Sequence, residues 1–184
     1  QPCRMEYQVE EAKRVVSDRE NSYILSPKDM CTLPMVAQMI EAGIDSFKIE
    51  GRMKRPEYAA GVVHAYKKQV DLYYELGANE YAQYHKEHPE VLEKEVQKLQ
   101  DLYNRGGFST GYYNMHNSKE MMSMHRPNHS GVLVGHVVNR KGIQAEIALC
   151  EDVNAQDVLE FRHNGEATYE FTVKDSTKKG TKLK

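Results

Sequence analysis

Two short polar stretches carry the chemistry this sequence offers most plainly. Lys28-Asp29-Met30-Cys31 follows Ser26-Pro27, and Glu50-Gly51-Arg52-Met53-Lys54-Arg55 follows a run that alternates apolar and polar residues. Asp29 and Glu50 are a candidate general acid/base pair, with Lys28, Lys48 and Arg52 beside them as further candidate catalytic residues. Arg52, Lys54 and Arg55 form a cationic group suited to a phosphate or a dicarboxylate. Cys31 adds a thiol. The ordinary alternative is that both stretches are solvated loops.

Chemistry at these places requires elements that bring them together. Ser22-Tyr23-Ile24-Leu25 is β-prone and ends at Ser26-Pro27. Thr32 stands ahead of Pro34, a capping residue before a proline suited to a first helical turn. Val36, Met39, Ile40 and Gly43 follow at helical spacing, and Gly43 is a natural left-handed terminator. Ile44–Glu50 alternates like a strand until Gly51 breaks it. Pro56 then opens a long helix with an apolar face of Ala59, Val62, Val63, Tyr66, Val70 and Tyr73, closed by Leu76-Gly77. Strands separated by helical crossovers pair in parallel, so both polar stretches fall at strand C-terminal ends on one face, where βα barrels and open α/β sheets place their sites.

Asn79–His88 reads as a short tyrosine-bearing helix. Pro89 starts another whose seam is Leu92, Val96, Leu99 and Tyr103. Arg105–Tyr113 is rich in glycine and aromatics, but its spacing matches neither the P-loop nor the dinucleotide fingerprint, so it reads as a turn. Residues 114–130 read as a linker. Beyond them the period switches to two: a strand through Val132, Val134 and Val137, then Ile143–Leu149, Val158–Arg162 and Ala167–Val173. Turn signals stand at Lys141-Gly142 and Asn164-Gly165. Short strands with hairpin turns indicate a small antiparallel barrel or sandwich. The expected organisation is 1–78 in an α/β unit, 79–113 a helical extension, 114–130 a linker and 131–184 a small β domain.

Several chemistries are disfavoured. His85-Lys86-Glu87-His88 spaces its histidines three apart, not the four of a zinc-protease helix, and Pro89 follows at once. His116, His125 and His129 read as linker histidines. Cys150 sits in an apolar run as a small buried side chain. Cys3 and Cys31 match no zinc-ribbon spacing, and two cysteines cannot fill a tetrahedral site. A net charge of −2 gives no global attraction for nucleic acid, so any RNA contact must be local, around Arg52, Lys54 and Arg55. Three cysteines in 184 residues are too few for a secreted disulfide framework, so a cytoplasmic location is expected. No apolar run is long enough to span a membrane. Both ends read as cut, so the chain is expected to be a piece of a longer protein.

Cys3-Arg4 ahead of Tyr7, Ser26-Pro27-Lys28-Asp29-Met30, and Ile40 through Lys54 together resemble peptidase family U32. Lys48-Ile49-Glu50-Gly51-Arg52 is the most specific part. Arg105–Tyr113 and Arg126-Pro127, with Gly131 and Gly135, resemble the same family further along. The Ser-Pro-Lys-Asp form is most similar to the bacterial members that hydroxylate tRNA. The resemblance implies the last βα units of a TIM-like (βα) barrel, a helical segment and then a small antiparallel β-barrel. It also implies either collagenase-like proteolysis or RNA hydroxylation, of a tRNA wobble uridine to 5-hydroxyuridine or of a ribosomal cytidine. An iron–sulfur cluster and prephenate accompany that hydroxylation. By the same resemblance Cys3 and Cys31 are expected cluster ligands, with the others upstream of residue 1. A third reading is a non-catalytic β module, residues 131–184, that binds RNA or a partner.

Overall fold

The computed structural model describes residues 1–16, 21–52, 54–113, 119–163 and 166–183. The chain divides into two compact units, Gln1–Gly131 and Val132–Lys184.

Proline and glycine punctuate the helices of the first unit. Thr32 precedes a 3-10 turn, Leu33–Met35, that runs into α1 (Val36–Glu41), and Gly43 follows with φ +80°. Pro56 occupies the first turn of α2 (Pro56–Leu76), where its missing N–H has no helical acceptor to lose. Gly77, at φ 78° and ψ 165°, both ends α2 and begins α3 (Ala78–Glu87). That backbone region is nearly closed to other residues. Pro89 opens α4 (Pro89–Leu102).

Cys31, Leu33, Ala65 and Leu99 are the buried heart of this unit, with Val62, Tyr66, Leu92, Val96 and Phe108 packed around them. The α4 seam therefore packs as its spacing predicts. The buried stripe of α2 differs from the expected face: Ala65 and Gln69 are buried, while Ala59 and Val63 are exposed. Tyr81 Oη donates to Gln69 Oε1 at 2.9 Å, which allows a polar residue to sit in the α2–α3 contact.

The expected strands 22–25 and 44–50 are not strands. Residues 22–25 turn, with Ser26 N–H donating to Tyr23 O at 2.9 Å. Just after them, β3 (Asp29–Met30) pairs parallel to β4 (Phe108–Ser109) in the register Asp29↔Phe108 and Met30↔Ser109. A further hairpin joins β1 (Glu10–Glu11) to β2 (Arg14–Val15). Residues 44–50 have no regular secondary structure. Helix and sheet are mixed in this chain, but no TIM-like barrel closes among the described residues. Two-residue strands without parallel neighbours on both sides cannot form one.

Residues 114–118 of the expected linker lie outside the described residues. Further on, Lys28 N–H donates to Met121 O, Ser123 N–H to Ser26 O and Tyr23 N–H to Met124 O, at 2.7 to 2.9 Å. Residues 119–131 are thereby bonded into the first unit.

The second unit is antiparallel. β5 (Gly135–Lys141), β6 (Gln144–Leu149) and β9 (Lys182–Leu183) form one sheet, and β7 (Val158–His163) pairs with β8 (Glu166–Thr172) in another. Gly142, at φ +62°, makes the turn signalled by Lys141-Gly142. The Asn164-Gly165 signal lies outside the described residues. Ile147, Leu149, Val153 and Val173 form a core of their own. The expected barrel is corrected to two small sheets, with no closure among the described residues.

Candidate functional site

The first unit contains a cavity of about 610 Å³ whose walls come from both polar stretches singled out above. Asp29 lines one side, and Lys48, Glu50, Arg52 and Lys54 line another. Arg4 and Arg105 add two further cations. Five cationic side chains thus face two carboxylates, in a chain whose net charge is −2. Lys28 and Arg55 are not in the wall. Lys28 is half-buried with its backbone bonded to Met121, and exposed Arg55 precedes α2 in an extended conformation. Met53 lies outside the described residues.

Asp29 is held rather than free. Arg105 Nη2 donates to its Oδ1 at 2.9 Å and Nε to Oδ2 at 3.2 Å, while the Arg105 backbone N–H reaches Oδ2 at 2.9 Å. Both side chains are 17% exposed. Burial works to lower the Arg105 pKa, but the hydrogen bonds and charge of Asp29 outweigh it and raise it. The loop that presents Arg105 is fixed by Asn104, whose amide donates to Gln100 O and Gly131 O and whose Oδ1 accepts from Gly107 N–H.

Lys54 is also committed. Its ammonium lies 2.7 Å from the centroid of the Tyr103 ring, and that ring stacks with His129 at 5.1 Å and 17°. Asn104 N–H donates to His129 Nδ1 at 3.0 Å, which holds the histidine in place. Lys48 and Glu50 form a looser pair at 3.7 Å, 87% and 71% exposed. Arg52 gives only its backbone N–H, to Glu50 Oε1 at 3.4 Å, and its guanidinium has no partner among the described residues.

Aromatic rings complete the walls: Phe47, Tyr58, Tyr66 and Tyr113. Phe47 and Tyr66 lie 6.0 Å apart. Tyr66 Oη accepts from Thr32 N–H at 2.9 Å and contacts Thr32 Oγ1 at 3.1 Å. Burial pushes the Tyr66 phenol up to about 12. Burial, and then the negative charge of Asp29, raise Tyr58 as well. Both phenols therefore keep their protons at neutral pH.

Sequence spacing placed Asp29 and the 48–54 stretch as candidates, and the structure gathers them in one cavity. It did not single out Arg4, Arg105, Tyr58, Tyr103 or His129. Arg105 stands just before Gly106-Gly107, and that adjacency was the available signal.

An iron–sulfur cluster is held by cysteine thiolates, and the two expected as ligands, Cys3 and Cys31, both lie in the first unit. Cys31 is 7% exposed and packed among Leu33, Ala65 and Leu99, where burial pushes its thiol up. Cys3 is half-buried in the turn Pro2–Arg4. Among the described residues no three or more His, Cys, Asp or Glu gather where they could hold a metal ion. Likewise, among them, no helix is long and apolar enough to cross a membrane.

The model of peptidase family U32 matches residues 1–123. The chain belongs to that family. Among curated U32 relatives, a collagenase of Porphyromonas gingivalis is 36% identical over 114 residues, covering 61% of this chain and 25% of its own length. The tRNA hydroxylation protein P1 of Bacillus subtilis is 40% identical over 78 residues, 40% of this chain and 18% of that protein. A 23S rRNA 5-hydroxycytidine synthase of Escherichia coli is 36% identical over 72 residues, 39% of this chain and 11% of that one. This U32 chain therefore spans a quarter or less of each of these relatives. No solved structure matches it.

Proposed function

We propose that this U32 chain is part of an RNA-hydroxylating enzyme, and that its first unit holds RNA at the cationic cavity. The observation that carries this reading is the excess of cations over carboxylates in the cavity of an acidic chain. Local positive charge supplies most of the non-specific attraction for a phosphate backbone. Relatives named for tRNA and rRNA hydroxylation support the same reading. The finer proposal is conversion of a tRNA wobble uridine to 5-hydroxyuridine with prephenate as co-substrate. Its support is the resemblance of Ser26-Pro27-Lys28-Asp29 to the tRNA-hydroxylating members. This chain's own residues bind and orient: Arg52 and Lys48 neutralise phosphate, and Tyr58 and Tyr66 remain protonated in the wall. Asp29 and Arg105 keep the two sides of the cavity in register.

A second reading, peptidase, is favoured by the name of the Porphyromonas gingivalis relative. Against it, Cys31 is packed in the core and both oxygens of Asp29 are occupied by Arg105. The test is nucleoside mass spectrometry of total tRNA and rRNA from a deletion strain. Loss of a 5-hydroxylated pyrimidine, restored by the wild-type gene and not by Arg52→Gln, is expected. Unchanged nucleosides, together with gelatin cleavage by the pure protein, would overturn the RNA reading.

A further inference from the structure

We infer that the cavity of the first unit takes one unpaired nucleotide of the RNA, its phosphate at the rim against Arg52 and Lys48 and its base inward against Phe47. The inference rests on the RNA reading above and adds the side chains that receive the phosphate and the base.

The cavity is graded from rim to floor. Lys48 and Arg52 are exposed, whereas Phe47, Tyr58 and Tyr66 are half-buried. Its volume of about 610 Å³ lies within the range of clefts that enclose a small molecule, roughly 300–1,000 Å³. A duplex cannot enter such a space. RNA is read most often where an unpaired base can be splayed out and stacked on an aromatic side chain, and enzymes acting on a base remove it from the stack.

The charges divide by availability. Arg105 is bonded to Asp29, Lys54 lies on the Tyr103 ring, and Arg4 is bonded to the side chains of Gln1 and Asn128. The Arg52 guanidinium is free among the described residues, and Lys48 has only the loose, exposed contact with Glu50. These two are the cations able to meet an incoming phosphate. Of the two carboxylates, Asp29 is neutralised by Arg105, and Glu50, 71% exposed, is screened by solvent.

The rings divide in the same way. Tyr66 is bound to Thr32 and is fixed wall. Phe47 has no polar anchor and lies 6.0 Å from Tyr66, leaving it to receive a base. Tyr58 contributes a protonated hydroxyl, a donor for the carbonyl acceptors that every pyrimidine ring carries.

The test is fluorescence anisotropy of the full chain with a labelled pentauridylate. Arg52→Gln should weaken binding roughly ten-fold and reduce the slope of log affinity against log salt by about 0.7, the value for one phosphate on a single strand. Phe47→Ala should weaken it about five-fold or more, the loss of one base–aromatic stack. Competition on the wild type removes the question of folding. Uridine 5′-monophosphate should displace the probe at a concentration at least ten-fold lower than ribose 5-phosphate does. Equal displacement by the two would show that no ring is received, overturning the inference while the RNA reading stands. Displacement by prephenate and not by the nucleotide would also overturn it and assign the cavity to a dicarboxylate. If the wild type does not bind pentauridylate while the deletion strain lacks a hydroxylated pyrimidine, the inference alone fails. If both are negative, the RNA reading fails with it.

Discussion

Both carboxylate oxygens of Asp29 are held by Arg105, through two guanidinium contacts and one backbone N–H. Planar pairing of this kind is stronger than a point-charge contact, and at 17% exposure solvent screens it only partly. Removing one partner from such a pair leaves the other charge stranded, and a backbone donor loses its acceptor. Asp29→Ala should therefore cost about 2–4 kcal/mol, read as a lower urea midpoint. Lys48→Ala, which breaks an exposed pair, should move the midpoint by less than about 0.5 kcal/mol. Equal effects from the two variants would refute the clamp. Asp29 was legible as a candidate because it stands among acids, bases and a thiol. Its partner 76 positions away was not, because local spacing carries no information about which distant cation a carboxylate meets.

At the scale of elements, Lys68 of α2 reaches Glu95 of α4, and Lys98 of the same helix α4 shares that acceptor. The Glu95 side chain is 6% exposed, and its Oε1 accepts from Lys68 at 2.9 Å and from Lys98 at 3.0 Å. Burial opposes the charge, but the two lysines outweigh it and hold the carboxyl below its ordinary 4.5. The unfolded chain therefore binds this proton more readily than the folded one. The contribution to stability is complete above about pH 4.5 and is lost as pH falls through the depressed folded value. Urea unfolding from pH 3 to 7 should show Glu95→Gln less stable than wild type at neutral pH, with a flatter decline below pH 4.5. A parallel decline would count against the lysine cradle. The helices themselves were legible because Pro56, Pro89, Gly43 and Gly77 mark their ends. The stretch 44–50 was misread for a physical reason. Phe47 and Ile49 are half-buried while Lys48 and Glu50 are exposed, so the alternation reports a real two-sided environment. That environment is the wall of a cavity, and period two alone does not require a paired neighbour.

Over the whole molecule, two cores built on different periodicities stabilise the chain. Helical spacing assembles Ala65 and Leu99 around Cys31 and Leu33, and strand alternation assembles Ile147, Leu149, Val153 and Val173. The second was read more completely from sequence, because hairpin strands pair with their chain neighbours and a left-handed glycine marks the turn. The site depends on contacts between residues far apart in the chain, such as Lys54 with Tyr103 and Asp29 with Arg105, so spacing recovered only part of it. Separate cores also make a prediction about unfolding. Leu149 and Leu99 are each 5% exposed, and truncating either to alanine should cost about 2–5 kcal/mol through lost burial and the cavity left behind. Hydrogen exchange by mass spectrometry should place the two losses differently. Leu149→Ala should lower protection across β5 to β9 and leave α2 and α4 near wild-type rates, while Leu99→Ala should do the reverse. If either variant lowered protection equally in both units, the chain would unfold as one cooperative body and the two cores would not be independent units of stability.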